Sequence, residues 1–139
     1  MTKTRVLVVE DEQDIAELIK HALERDAVTQ VQVVGSGDSA LRIASEQIPD
    51  LILLDLNLPR KDGREALEEI KQHPELRRIP VVILTTSNAE EDVTKTYNLG
   101  ASSYIRKPVN MSSLVDIMST LGHYWFEIVE LAPPPEEGG

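Results

Sequence analysis

Three short runs limit most strongly what this chain can fold into: Val6–Val9, Leu51–Leu54 and Val81–Leu84 are apolar at every position. A strand with one wet face alternates apolar and polar residues, whereas a strand covered on both faces shows no alternation. The runs therefore predict parallel strands inside an α/β fold, with helices on both sides of the sheet. The segments between them carry helical spacing. Ile15, Leu18, Ile19, Ala22 and Leu23 recur at intervals of three and four, and Leu67 to Ile70 continues that spacing in a later segment. Asp38 to Ile48 repeats it through Ala40, Leu41, Ile43, Ala44 and Ile48, and further helices are expected from Glu90 to Leu99 and from Met111 onwards. Val31–Val34 and Ser103–Arg106 read as weaker strands. The order is βα five times, and right-handed crossovers make of it an open, doubly wound five-stranded parallel sheet.

Local signals agree with these boundaries. Gly100 follows Leu99 where a helix end needs a left-handed residue, and His73-Pro74 closes the third helix because the residue before proline avoids helical geometry. Ser87 or Asn88 is placed to cap the fourth helix. Gly35-Ser36-Gly37 lacks the third glycine of a dinucleotide fingerprint and reads as a loop. The 139 residues fit a single domain over 1–122, with a helical extension over 123–132 and a Pro- and Gly-rich tail over 133–139 that has the composition of a disordered segment.

Composition narrows the chemistry. Cysteine is absent, which removes disulfides, thiolate metal sites and thiol nucleophiles together. The formal charge of −10 repels a polyanion and leaves no basic stripe, so no nucleic-acid binding is expected. MTKTRVLVVEDE holds too short an apolar stretch for a signal peptide or a membrane span, and the expectation is a cytoplasmic protein with no membrane contact. His21, His73 and His123 are scattered and read as helix-surface residues.

The residues just past the expected strand ends are Glu10-Asp11-Glu12, Asp55, Thr85 and Lys107-Pro108. In a doubly wound sheet, ligands bind outside the carboxyl ends of the strands, so these residues meet at one edge. Taken singly, each has a plain reading. The acidic run is a solvated turn, Asp55 a cap, Thr85 a satisfied strand residue, Lys107 a surface lysine and Tyr104 a half-buried strand aromatic. Together they read differently. Clustered carboxylates repel one another until a cation neutralises them, and hard oxygen donors without His or Cys select Mg²⁺ or Mn²⁺. Lys107 adds a positive charge and Thr85 a hydroxyl, and with the metal they can surround a phosphoryl group on Asp55.

VLVVEDE, LILLDLNLPRKDG, PVVILTTS and SSYIRKP, in that order over about residues 4–122, resemble the receiver domain of two-component response regulators. The resemblance implies a flavodoxin-like (βα)5 fold in which Glu10, Asp11 and Asp55 hold Mg²⁺ together with the main-chain carbonyl of Asn57. It implies that Asp55 takes phosphate from a histidine kinase, that Thr85 and Lys107 bind the phosphoryl oxygens, and that Tyr104 changes rotamer between states. Two positions depart from the usual pattern: Glu10 stands where Asp is more common, and Thr86 is larger than the residue usual there. LRRIPVVILTTS, Tyr97-Asn98-Leu99 and Leu114 through His123-Tyr124-Trp125 further resemble small single-domain regulators that partner bacterial phytochromes.

Other function classes compete with this reading. A phosphatase of the haloacid dehalogenase type uses a second aspartate two positions after its nucleophile, and Asn57 cannot serve there as general acid, so a turnover enzyme is not expected. A carrier in a multi-step phosphorelay and a non-phosphorylated pseudo-receiver remain open as alternatives. Leu114, Ile117, Met118, Leu121, Trp125 and Ile128 continue one helical stripe, and Tyr124, Trp125 and Phe126 are three of only five aromatic residues in the chain. The stripe either folds back on its own domain or joins two subunits. Aromatic enrichment at interfaces favours a homodimer through the fourth helix, the fifth strand and the last helix.

Overall fold

In the computed structural model, which describes residues 4–26, 29–58, 63–85, 90–106 and 111–123, the three apolar runs form the middle of one sheet. Along the chain the elements are β1 (Thr4–Val9), α1 (Gln13–Leu23), β2 (Thr29–Val34), α2 (Gly37–Glu46), β3 (Leu51–Asp55), α3 (Gly63–Gln72), β4 (Val81–Thr85), α4 (Glu90–Asn98), β5 (Ser103–Arg106) and α5 (Met111–His123). A single 3₁₀ turn, Glu24–Asp26, follows α1. The sheet is wholly parallel with strand order β2-β1-β3-β4-β5, so the order reverses between β1 and β3.

The lack of alternation in the central strands has a direct cause. Val6, Val8, Leu51, Leu53, Val82 and Leu84 enter one apolar layer, which also holds Ile19 and Leu23 of α1 and Leu114, Met118 and Leu121 of α5. Leu7, Val9, Ile52, Leu54, Val81 and Ile83 enter the opposite layer with residues of α2 and α3. Successive side chains of one strand thus meet different helices, and both faces demand apolar residues.

Burial in α5 corrects one expectation. Leu114, Met118 and Leu121 lie on the helix face turned to the sheet and α1, and they are 3%, 0% and 7% exposed. Ile117 is half-buried against the same layer. The part of the stripe assigned to a partner is, at these positions, the domain's own core. Tyr124, Trp125 and Phe126 lie outside the described residues, as do Lys107-Pro108, Thr86 and the proposed caps Ser87 and Asn88.

Helix ends follow local chemistry. Ser36 is the N-cap of α2, its hydroxyl accepting from the Ser39 N–H at 3.2 Å, so the segment read as a plain loop in fact opens a helix. That helix stops at Glu46 rather than Ile48, because Ile48 precedes Pro49 and is barred from helical geometry. α4 ends in a six-to-one motif. Gly100 N–H donates to Tyr97 O, Ala101 N–H donates to Thr96 O, and Gly100 takes φ 105°, as its position after Leu99 requires. His73 stands past the end of α3 rather than on its surface, and its Nδ1 accepts from the Glu75 N–H at 3.1 Å.

Candidate functional site

The carboxyl ends of β1, β3 and β4 carry the polar residues that the core otherwise excludes. Glu10 directly follows β1, and its main-chain N–H donates to Val34 O at 3.0 Å, so the β1–β2 ladder fixes its backbone. Asp55 is the last residue of β3 and Thr85 the last of β4. Glu10 and Asp55 are each 2% exposed and Thr85 is 0% exposed, while Asp11 is open to solvent.

One carboxylate oxygen from each of Glu10, Asp11 and Asp55 lies within 4.8 Å of the other two. Two of these acids are buried, so water screens their repulsion poorly, and a compact divalent cation would relieve it. The donor set fits such an ion. It is all oxygen, one wall is open at Asp11, and the buried Oε2 of Glu10 accepts no hydrogen bond among the described residues although Glu10 has other partners. Glu10, the longer acid at its position, reaches the cluster from a fixed backbone.

Asn57 links Asp55 to the neighbouring strand. Its main-chain N–H donates to Asp55 Oδ1 at 3.1 Å, and its Nδ2 donates to Thr85 Oγ1 at 3.2 Å. Tyr104 sits in the middle of β5 opposite Ile83, half-buried against the α2–α3 layer. Glu10, Asp11, Asp55, Asn57 and Thr85 are thus brought together, Tyr104 lies one strand beyond Thr85, and Lys107 falls outside the described residues.

Sequence reasoning passed over Gly63. Its N–H donates to Leu56 O at 3.1 Å, and a β-carbon at this position would stand 2.6 Å from Leu56 Cα and press on the Asp55 carbonyl. The absence of a side chain lets α3 start directly against the end of β3. The Asp62-Gly63 pair was the available signal, since Gly beside Asp marks a tight connection.

Comparison with known proteins agrees with this geometry. Residues 6–119 match the response regulator receiver domain. Response regulator Rcp1 of Synechocystis is 40% identical over 134 residues, which cover 91% of each chain. The crystal structure of the phosphorylated cyanobacterial phytochrome response regulator RcpA superposes with a TM-score of 0.90 at 39% identity, over 95% of this chain and 100% of that one. The Mn²⁺-bound form of Rcp1 gives a TM-score of 0.87 at 38% identity, over 94% and 99%. With the flavodoxin-like strand order, the acidic cluster at the strand ends and matched coverage across the domain, the chain belongs to the response regulator receiver domain family and is related to the phytochrome response regulators.

Proposed function

We propose that the protein accepts a phosphoryl group from a histidine kinase onto Asp55 and passes the signal on through protein contacts. The observation that carries this reading is the gathering of Glu10, Asp11 and Asp55 within 4.8 Å beside the buried Thr85. Glu10, Asp11, Asp55 and the main-chain carbonyl of Asn57 would hold Mg²⁺, with Mn²⁺ as a substitute. Bound there, the cation neutralises the acids and part of the incoming phosphoryl charge.

The chain's own residues then have distinct parts. Asn57 N–H fixes Oδ1 of Asp55 and so orients the carboxylate as nucleophile. Its attack forms a P–O bond as the P–N bond to the kinase histidine breaks, and the departing imidazole nitrogen keeps the electron pair and takes a proton from solvent. Thr85 and Lys107 donate to the phosphoryl oxygens, and Tyr104 changes rotamer as Thr85 moves. No external substrate is turned over.

Relatedness to Rcp1 and RcpA supports a phytochrome as the kinase. A homodimer is supported by Tyr97 on α4, which is 46% exposed, and by the aromatic run at 124–126. Among the described residues no helix is long and apolar enough to cross a membrane; we place the protein in the cytoplasm, without nucleic-acid contacts of its own.

Incubation with acetyl phosphate tests the reading. Mg²⁺ is expected to allow the intact mass to rise by one phosphoryl group and EDTA to prevent it. An equal gain in EDTA would overturn the metal-dependent acceptor. Transfer from each histidine kinase of the same genome, compared by rate, identifies the partner, and slow transfer from a phytochrome relative to other kinases would remove that pairing.

A further inference from the structure

We propose that Lys71 is an acylation site, an amine held at the surface in position to take an acyl group from an anionic acyl phosphate. The inference goes beyond the reading of Asp55 and does not depend on it. Both ends of the Lys71 side chain are fixed. Its Nζ donates to Arg77 O at 3.1 Å and to Ile79 O at 2.7 Å. A β-carbon built on Gly100 would stand 3.0, 3.2 and 3.4 Å from its Cγ, Cδ and Cε, so the stem lies along that glycine just past α4. Lys20 and Lys95, the other lysines among the described residues, are exposed.

Two hydrogen bonds are what a neutral amine can donate. An ammonium carries one hydrogen more, so loss of that proton keeps both bonds and leaves a lone pair fixed in direction. The bond to Arg77 O lies at the surface and the bond to Ile79 O is half-buried, so the nitrogen sits at a rim that a reagent can reach. Burial also lowers the pKa of Lys71 below 10.5, which enlarges the share of nucleophilic amine at a given pH. The exposed Arg77 and Arg78 place cations in the same loop and favour an anionic donor over a neutral one. Nζ attacks the carbonyl carbon of the acyl phosphate. The N–C bond forms as the C–O bond to phosphate breaks, phosphate leaves with the electron pair, and the nitrogen sheds a proton to solvent. The product amide has a single hydrogen and no charge, so it can hold only one of the two carbonyls. Arg77 O is the one released, because water can replace its partner. Acylation thus loosens the loop that leads into β4.

The experiment treats the full chain with acetyl phosphate in EDTA, where Asp55 has no metal to assist phosphorylation, and follows acetylation of Lys71, Lys20 and Lys95 in one sample by peptide mass spectrometry. Lys71 is expected to react several-fold faster than the other two, and the three are expected to react alike once urea unfolds the chain. An uncharged acetyl thioester should show a smaller preference. In the acetylated protein, hydrogen exchange at the Arg77 and Ile79 amides should quicken, and in Lys71→Arg, which keeps charge and donors, acetyl phosphate should leave that exchange unchanged.

Lys71 reacting no faster than Lys20 and Lys95, or a preference that survives in urea, would overturn the site. An equal preference with the thioester would overturn the anionic donor, and unchanged exchange after acetylation would overturn the loosened loop. None of these results bears on Asp55, whose reading fails separately if Mg²⁺ brings no phosphorylation.

Discussion

Replacing Gly63 with alanine probes the join between fold and site most sharply. The added β-carbon would lie 2.6 Å from Leu56 Cα and 3.1 Å from the Asp55 carbonyl carbon, and closer still to the Asp55 carbonyl oxygen. Ordinary contact needs about 3.5 Å or more, so α3 or the end of β3 must retreat by nearly an ångström. These neighbours are main chain of the last residue of a fully buried strand and of the buried residue after it, and have no rotamer to yield. Overpacking of this kind costs about 1–3 kcal/mol, and the loss of glycine freedom in the unfolded chain offsets about 0.4–1 kcal/mol of it. A net loss of about 1–2 kcal/mol is expected in urea unfolding. Gly35→Ala is the internal control, since its β-carbon would meet nothing nearer than Asp11 Cα at 4.0 Å. It should be neutral or slightly stabilising. Because the displaced atoms belong to Asp55 and Leu56, Gly63→Ala should also slow phosphorylation by acetyl phosphate under conditions where the variant is fully folded. Stability within about 0.3 kcal/mol of wild type, or a larger loss for Gly35→Ala, would refute the argument from close approach.

Further outcomes follow from other contacts. Burial lowers the pKa of Lys71 below 10.5 while its Nζ donates to Arg77 O and Ile79 O at 3.1 and 2.7 Å. Between the lowered value and 10.5 the unfolded chain binds more protons than the folded one, so the stability of wild type relative to Lys71→Met should rise with pH on approach to 10.5; a flat difference would contradict this. Glu24 Oε2 accepts from the Val31 N–H at 2.9 Å on the edge strand β2, and Glu24→Ala should cost about 1–3 kcal/mol and promote self-association, read by urea titration and light scattering. Mg²⁺ should raise the melting temperature of wild type, since only the folded chain assembles the acids, and Asp11→Asn should abolish the rise. Stopping the chain after Gly122 should weaken or abolish the proposed homodimer; a truncated chain that remains fully dimeric would remove the aromatic run from the interface.

The sheet was legible because its central strands are buried on both faces, which leaves a mark in single residues: Val6 to Val9 and Leu51 to Leu54 admit no polar side chain. The polar edge of the sheet was legible for a related reason. Polar residues directly after such runs, Glu10, Asp55 and Thr85, have nowhere to lie except at the strand ends. What stayed hidden depends on relations across space. The spacing of Leu114, Met118 and Leu121 describes a helix face but is silent on what covers it, and α1 with the sheet covers it here. The need for glycine at 63 arises from the approach of α3 to Asp55, and the Asn57–Thr85 bond runs from just past β3 to the end of β4, whose adjacency only the fold establishes.

The central claim is that Asp55 alone carries the phosphoryl group. Borohydride reduces an aspartyl phosphate to homoserine and so marks its position after treatment with acetyl phosphate and Mg²⁺. Peptide mass spectrometry should find the mark at Asp55, and neither in EDTA nor in Asp55→Asn. A mark at another acid in wild type, or phosphorylation of Asp55→Asn at the wild-type yield, would contradict the account.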